Sequence, residues 1–376
     1  MKIPFNKPYL TGKETQYIEE AVKSGKISGN GIFTQKCQKF FEEKYGFKKV
    51  LLTTSCTDAL EMAAILAQIK TGDEVIIPSY TFVSTALPFV REGAKIIFAD
   101  SEKNNPNIDA DKIEDLITPK TKAIVVVHYA GVSCDMEKIM KIAEKHQLLV
   151  IEDAAQAIDS YCLFSNGEKK PLGSIGHLGA FSFHETKNII SGEGGMLTIN
   201  DEKYIQRAEI IWEKGTNRTQ FFRGEINKYG WVDTGSSFLP SEIISAFLWA
   251  QLENLEEIQE KRLQIWTKYE ENLKNNSHFS VPNIPKYATN NAHMFYLVFK
   301  NLEERTAMIN ELKKQDILAV FHYLSLHKSD YYQNQYKGEE LLNSDHFEDC
   351  LLRLPFFFEI TEEEQKKIIN ILLTHS

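Results

Sequence analysis

No stretch of this sequence is long and apolar enough to cross a bilayer; none approaches the ~18–20 residues such a helix needs. The segment Met1-Lys2-Ile3-Pro4-Phe5-Asn6-Lys7-Pro8 lacks the apolar core of a secretory leader. Cysteine is scarce: Cys37, Cys56, Cys134, Cys162 and Cys350 are scattered, odd in number and never spaced C-x-x-C. That excludes a disulfide framework and a cysteine-built zinc site, and suits reduced thiols. There is no long basic run, and the net charge of −9 argues against general nucleic-acid binding. Internal repeats and low-complexity linkers are also missing. These absences together give the expectation of a soluble cytoplasmic protein.

What is present is ordinary for a globular enzyme: 43% hydrophobic and 25% charged residues over 376 positions. That length exceeds one simple core, so a large unit over 1–250 and a smaller α/β unit over 251–376 are expected. Between residues 50 and 200, apolar runs alternate with helical ones. Strands are expected at Glu74–Pro78, Lys95–Asp100, Lys122–His128, Leu148–Asp153, Leu178–Phe183 and Gly195–Asn200. Most show little polar alternation, as strands buried on both faces of a largely parallel sheet do. Helices are expected at Asp58–Ile69, Ser84–Glu92, Ala110–Leu116 and Asp135–His146. A βα alternation predicts an α/β fold whose ligand site lies at the carboxyl ends of the strands. Beyond Pro240 the texture changes: one or two long helices over Pro240–Asn275, strands at His293–Lys300 and Ala319–Tyr323, a helix capped by Asn301, and a closing helix at Thr361–Leu373.

Four constellations lie at such strand ends. Thr53-Thr54-Ser55-Cys56-Thr57-Asp58 places small hydroxyl residues just before a helix, where free backbone amides make a phosphate cradle; an ordinary N-cap explains the same residues. Pro78-Ser79-Tyr80-Thr81-Phe82-Val83-Ser84-Thr85 sets aromatics after a strand, for stacking on a flat heterocycle or simply for the core. The strand Leu148–Asp153 ends in a carboxylate, which suits either a helix cap or a partner for a protonated ring nitrogen. One strand later comes Lys187, in Phe181-Ser182-Phe183-His184-Glu185-Thr186-Lys187-Asn188, ahead of the turn Ser191-Gly192-Glu193-Gly194-Gly195. Most lysines are solvated surface charges. One in this place can hold an aldehyde cofactor as a Schiff base, with Ser182 on its phosphate. Pyridoxal-phosphate chemistry needs these four parts together, and here they occur in order along one α/β chain.

The segments Ser79–Thr85, Glu152–Gln156, Phe181–Asn188 and Glu193–Gly195 resemble the cofactor motifs of the fold-type I, pyridoxal-phosphate-dependent sugar aminotransferases of the DegT/StrS type. The resemblance covers essentially the whole chain. It extends to Pro4–Pro8, Ser55-Cys56-Thr57, Val127–Gly131, Gly215–Arg218, Phe221–Gly224 and Val320–Tyr323. It implies Lys187 as the residue that bonds the cofactor, Asp153 at the pyridine nitrogen and Gln156 at the ring hydroxyl. Phe82 would stack on the ring, while Cys56, Thr57 and Ser182 would hold the phosphate. The implied reaction is amination of a nucleotide-linked 4-keto-6-deoxyhexose, with dTDP-4-keto-6-deoxy-D-glucose and L-glutamate as the pair, in surface-polysaccharide synthesis. A homodimer is also implied.

Arg218 and Arg223 are candidates for the nucleotide diphosphate, or else part of a solvated loop. His322 and His327 sit in an aromatic stretch where structural histidines are common, and the resemblance moves His322 toward the substrate pocket. One departure is clear. Many relatives carry a Gly-x-Asn-x-Arg stretch whose asparagine reaches a partner's cofactor phosphate; here it reads Gly235-Ser236-Ser237-Phe238-Leu239, with Ser237 at the asparagine position and Leu239 at the arginine position. Amination at C3, action on another keto sugar, dehydration and a non-enzymatic regulatory role are the alternatives. Dehydratases resembling this family carry histidine where Lys187 stands.

Overall fold

The computed structural model describes residues 2–374. Its centre is a seven-stranded sheet of β1 (Lys49–Thr53), β2 (Glu74–Pro78), β3 (Lys95–Ala99), β4 (Thr121–Val127), β5 (Leu149–Asp153), β6 (Leu178–Ser182) and β7 (Gly195–Ile199). The spatial order is β1-β7-β6-β5-β4-β2-β3. Strands β2 to β6 run parallel. Strand β7 alone is antiparallel to both its neighbours, β1 and β6. The apolar runs are buried on both faces: Ile76, Ile124, Val126 and Val150 face one core, Val75, Ile77, Val125 and Ile151 the other. The fold is the α/β arrangement expected of continuous apolar strands.

All six strands expected between residues 50 and 200 are present with ends shifted by a residue at most, and β1 is a seventh that had not been singled out. Helices Cys56–Leu66 and Met136–His146 also appear, the second capped by Asp135, whose carboxylate accepts from Lys138 N at 3.1 Å. Ser84–Glu92 is instead a short 3-10 turn, Val83–Thr85, and a helix, Leu87–Arg91, restarted with a proline in its first turn. Ala110–Leu116 is no α-helix. The Asp109 carboxylate takes the Asp111 N–H at 2.9 Å in a local turn, and only the 3-10 turn Glu114–Leu116 follows.

The stretch Pro240–Asn275 holds two helices, Glu242–Leu252 and Leu255–Leu273. The second bridges two cores: Leu255 and Ile258 pack under the large sheet, while Ile265, Trp266, Tyr269 and Leu273 join Phe295, Leu297, Leu312 and Ile368 in a separate cluster. A three-stranded sheet, Phe279–Ser280, Tyr296–Phe299 and Leu351–Arg353, carries that cluster. Asn301 caps helix Leu302–Lys314, accepting from Glu304 N at 2.9 Å. Ala319–Tyr323 is not a strand. Val320 alone pairs with Arg353, and the chain then turns His322 and Tyr323 toward the large sheet.

One buried carboxylate joins distant helices. Helix Ile32–Tyr45 has no capping side chain of its own, since Gly31 stands at its N-cap. Glu242, at the start of helix Glu242–Leu252, supplies the acceptor instead. It takes Gly31 N at 2.9 Å, Phe33 N at 2.7 Å, Thr34 N at 3.1 Å and the Thr34 hydroxyl. Two helix N-termini thus share one negative charge.

Candidate active site

The carboxyl ends of β2, β4, β5 and β6 open into one cavity of about 740 Å³. Its opposite wall comes from Met294, His322–Leu324, Arg353 and Phe356, with Phe5 and Asn6 of the N-terminal arm closing one side. Lys187, Asp153, Cys56, Thr57, Phe82, Gln156, Ser182 and His322 all line it. Residues expected to act together from four separate segments are therefore brought into one space.

At one end lies an anion cradle. Ser55 caps helix Cys56–Leu66, its hydroxyl accepting from Asp58 N at 3.1 Å, and the first-turn amides have no partner within the helix. Thr53 and Ser182 both pair with Gly195 across β7, so the nest and the Ser182 hydroxyl stand at one level. A Cβ on Gly195 would lie 2.4 Å from the Ser55 carbonyl carbon; only glycine lets β7 reach the nest. The Thr57 hydroxyl donates to Ser84 Oγ at 2.9 Å, tying the nest to the turn after β2.

At the other end of the charge axis is Asp153. Because side chains alternate along a strand, Asp153 faces the cavity and Glu152 faces away. Burial pushes the Asp153 carboxyl up from its ordinary range, against the Thr85 hydroxyl, the Ala155 N–H and Lys187, which favour the anion. Thr85 donates to Oδ2 at 2.7 Å, so Thr81, 2.8 Å from Thr85, must donate in turn. Glu152 binds the frame behind it, accepting from Gly173, Ile175 and Gly176 N–H groups at 2.5–2.8 Å. His128 Nδ1 accepts from Cys134 N, which leaves the proton on Nε2 to donate to Glu152 at 2.9 Å.

Lys187 sits in the turn after β6, its N–H on His184 O at 2.9 Å. The next residue anchors that turn. Asn188 donates to Gln259 Oε1 and to Asn291 O, and its carbonyl oxygen accepts from His293 Nδ1 at 2.8 Å. Burial pushes the Lys187 amine below the usual lysine range, and Arg353 adds to this. Cys56 and Asp153 oppose it. The Cys56 thiol is itself raised far by burial, so the carboxylate of Asp153 is the real counter-charge.

Phe82 is 55% exposed beside the cavity, which sets aside a core role for its ring. Gln156 is held at both ends: its carbonyl accepts from Ala130 N at 2.6 Å and its amide donates to the Tyr323 hydroxyl at 2.8 Å. His322 stacks on Tyr323 with centroids 3.5 Å apart, and its Nδ1 lies 2.6 Å from the Tyr129 hydroxyl. Burial holds the His322 imidazole well below its usual pKa, so it is neutral. His327 is structural, bound to Ser79 Oγ at 2.7 Å. Arg218 and Arg223 are not brought to this cavity. Arg218 lies over the Phe222 ring at 5.1 Å, and Arg223 pairs with Glu209 and Glu225. Tyr323, Arg353 and the Thr85 relay were not singled out by residue type or spacing. The one local signal for Arg353 is a charge inside the apolar run Leu351–Phe358.

A mostly parallel sheet that gathers a lysine, a buried acid and a helix N-terminus at one carboxyl edge defines a fold-type I, pyridoxal-phosphate-dependent aminotransferase. The chain belongs to the DegT/DnrJ/EryC1/StrS aminotransferase family, whose model matches residues 8–373. It is 32% identical to the spore coat polysaccharide biosynthesis protein SpsC of Bacillus subtilis, over 98% of this chain and 95% of that protein. It is likewise 32% identical to the GDP-perosamine synthase of Caulobacter vibrioides, over 83% of this chain and 81% of the relative. The solved structure of Helicobacter pylori PseC, an aminotransferase involved in pseudoaminic acid biosynthesis, superposes with a TM-score of 0.90 at 25% identity. That match covers 100% of this chain and 99% of the other. Among the described residues no helix is long and apolar enough to cross a membrane, and no group of metal-ligating side chains occurs.

Proposed function

We propose that this chain aminates the C4 ketone of a nucleotide-linked 4-keto-6-deoxyhexose, with L-glutamate as the amino donor. The observation that carries the reading is Lys187 and Asp153 in one cavity with the Ser55–Thr57 nest. These residues fit pyridoxal phosphate: a cradle for its dianion that a Cβ at position 195 would fill, an acid for its ring nitrogen, and an amine of lowered pKa for its aldehyde. When bound, the cofactor supplies an electron sink that lets a hydrogen on carbon next to nitrogen leave as a proton.

The chain's own residues do the rest. Asp153, whose anion the Thr85 hydroxyl favours, would pair with the ring nitrogen. Cys56, Thr57 and Ser182 would hold the phosphate, Phe82 would cover the ring, and Gln156 would meet the ring hydroxyl. Lys187 Nζ takes the proton from the donor's α-carbon and later delivers one to the sugar carbon. Replacing Lys187 with Ala should abolish turnover and the absorbance of cofactor bonded to the lysine; retention of both would sink the proposal.

For the sugar we favour dTDP-4-keto-6-deoxy-D-glucose, giving dTDP-4-amino-4,6-dideoxy-D-galactose for surface polysaccharide. The blocks Val127–Gly131, Phe183–Asn188 and Val320–Tyr323 support this through their resemblance to dTDP-4-amino-4,6-dideoxygalactose transaminases. A GDP-linked keto sugar is the second reading, favoured by the GDP-perosamine synthase relative. Incubation with glutamate and each keto sugar nucleotide, followed by NMR of the product, separates the two. Its coupling constants report the aminated carbon and its configuration.

We further propose a cytoplasmic homodimer, in which residues 1–250 form the cofactor-binding unit and 251–376 the smaller one. Its support is the exposed aromatic group Phe222, Tyr229 and Trp231, with Trp231 84% exposed, on the same segment as Arg218 and Arg223. Those two arginines then serve the nucleotide diphosphate of a shared site. Unchanged nucleotide-sugar affinity in Arg218→Ala and Arg223→Ala would remove both from it.

A further inference from the structure

We propose that His293 is a positioning residue for Lys187, acting through Asn188 to hold the lysine-bearing turn where its proton transfers need it. The inference rests on the transamination reading above and adds two residues to it. Asn188 and His293 are both buried, and His293 lines the same cavity as Lys187. One bond joins them, between His293 Nδ1 and Asn188 Oδ1 at 2.8 Å. Its direction follows from the neighbours. The Asn291 carbonyl can only accept, and it receives the Asn188 amide at 2.9 Å; the same NH2 reaches Gln259 Oε1 at 2.8 Å. The Asn188 oxygen therefore faces His293, and Nδ1 must carry the imidazole proton. Among the described residues no other donor reaches that oxygen.

The other end of the bond is fixed by its own contacts. His293 closes a segment, 290–293, that is gripped along its length. The Asn290 side-chain carbonyl accepts from Ala292 N at 2.9 Å. Asn291 donates to the Gln156 and Ile158 carbonyls, both at 2.8 Å, and its own oxygen takes His293 N at 3.1 Å. Arg262, buried in helix Leu255–Leu273, donates to Ala292 O at 3.1 Å and to His293 O at 2.6 Å. Ala292 has a φ of 51°, in the left-handed region that a residue with a Cβ rarely adopts. Such strain persists where the surrounding contacts over-determine it, and it points to function. The imidazole is thus referenced at once to the long helix and to the loop after β5, which carries Gln156. Burial, with Lys187, Arg262 and Arg353 adding to it, holds His293 well below its usual pKa, so the ring stays neutral with its one proton on Nδ1.

Lys187 has two tasks, to bond the cofactor aldehyde and, once free, to move a proton between carbons. Both ask for a fixed root. The other side-chain bonds of its turn are local or exposed: His184 to Thr186, Ser191 to Glu193 O, and Asn6 to Glu185 O. Asn188 carries the bonds that run from the turn into the interior. A proton carrier displaced by about 1 Å can lose about a hundredfold in rate. A packing role for the imidazole would need only its shape, whereas the positioning role needs the Nδ1–H. Asparagine sets an N–H donor where Nδ1 stands, glutamine reaches instead to the place of Nε2, and phenylalanine keeps the ring without a donor.

The test uses both holoenzyme and apoprotein. In the glutamate half-reaction the amino group passes to the cofactor aldehyde and 2-oxoglutarate leaves, followed by absorbance. There His293→Phe should lower the maximal rate about 10- to 100-fold, with the half-saturating glutamate concentration within about threefold of wild type. Deuterium on the α-carbon of glutamate should slow His293→Phe by a larger factor than wild type, because proton transfer by Lys187 has become the slow step. His293→Asn should recover most of the rate and the wild-type isotope effect; His293→Gln should not. Added to Asn188→Ala, His293→Phe should cost nothing further, since the bond is already gone. In the apoprotein, hydrogen exchange at the Lys187 amide should quicken in His293→Phe and match wild type in His293→Asn, a readout that needs neither cofactor nor turnover. A wild-type rate and isotope effect in His293→Phe would overturn the inference. So would equal losses in His293→Phe and His293→Asn, which would assign the ring to packing. A rise in half-saturating glutamate alone would assign it to donor binding and overturn the inference too. A wild-type enzyme inert toward every α-amino acid would instead defeat the transamination reading itself, and this inference with it.

Discussion

Thr85 donates its hydroxyl hydrogen to Asp153 Oδ2 at 2.7 Å, and Thr81 is the next member of that relay at 2.8 Å. The anion of the acid expected to face the cofactor ring is thus favoured by a turn that follows a different strand. Burial and the relay pull the Asp153 carboxyl in opposite directions, and burial is the larger of the two.

Thr85→Val keeps the shape and removes the donor. With only the Ala155 N–H left, the carboxyl should rise further and spend more time neutral. Cofactor affinity should fall by about tenfold, on the order of one charge-assisted hydrogen bond. Titration of the apoprotein with pyridoxal phosphate, followed by fluorescence, reads this directly. An affinity equal to wild type would show that the relay does not set the state of Asp153.

Lys187 gives a prediction about pH. A lowered pKa means the amine becomes neutral, and therefore nucleophilic, at a lower pH than an ordinary lysine at ~10.4. Trapping of pyridoxal phosphate on apoprotein by borohydride, scored at Lys187 by mass spectrometry, should reach half its maximum below that value. Asp153 raises the lysine's pKa, so Asp153→Asn should move the midpoint lower still. A midpoint at or above that of surface lysines would refute the electrostatic account.

Phe82 separates stacking from packing. More than half exposed, it contributes little to the core, so Phe82→Leu should leave the thermal midpoint of the apoprotein almost unchanged. A stacked ring is worth about 0.5–1.5 kcal/mol, so cofactor affinity should weaken by about three- to tenfold. If the midpoint falls and the affinity holds, the ring is structural.

Much of this site could be read before the structure because its parts sit at strand ends. Asp153 closes an apolar run, Lys187 follows another, and the hydroxyl-rich nest precedes a helix; each is a local pattern in a local order. Strands buried on both faces leave unbroken apolar runs, which is why six of the seven were placed closely. The failures are places where short-range pattern and tertiary context disagree. Ala110–Leu116 has helical composition but yields to the Asp109 turn, and Ala319–Tyr323 has strand composition but gives only the Val320 bridge. Arg353 and Tyr323 answer to partners far away in sequence, so no periodicity marks them. The sole trace was arginine within Leu351–Phe358, where an apolar run predicts none.

Glu242 is the clearest long-range case and carries the last prediction. Its carboxylate, fully buried, accepts three backbone N–H groups and the Thr34 hydroxyl from a helix some two hundred residues earlier in the chain. Glu242→Ala leaves those donors buried without an acceptor and uncaps helix Ile32–Tyr45. The loss should be about 3 kcal/mol of unfolding free energy, since several charge-assisted bonds go together. The site itself is untouched, so kcat of the folded fraction should not change. Gly31→Ala probes the same contact from the other side, because a Cβ there would lie 2.5 Å from the Glu242 carboxyl carbon. Alone it should destabilise by forcing that carboxylate away from its donors. In the double variant the methyl group meets empty space, so the combined loss should fall short of the sum of the two. Denaturant unfolding of the four proteins measures that difference, and strict additivity would mean that Glu242 is not the cap.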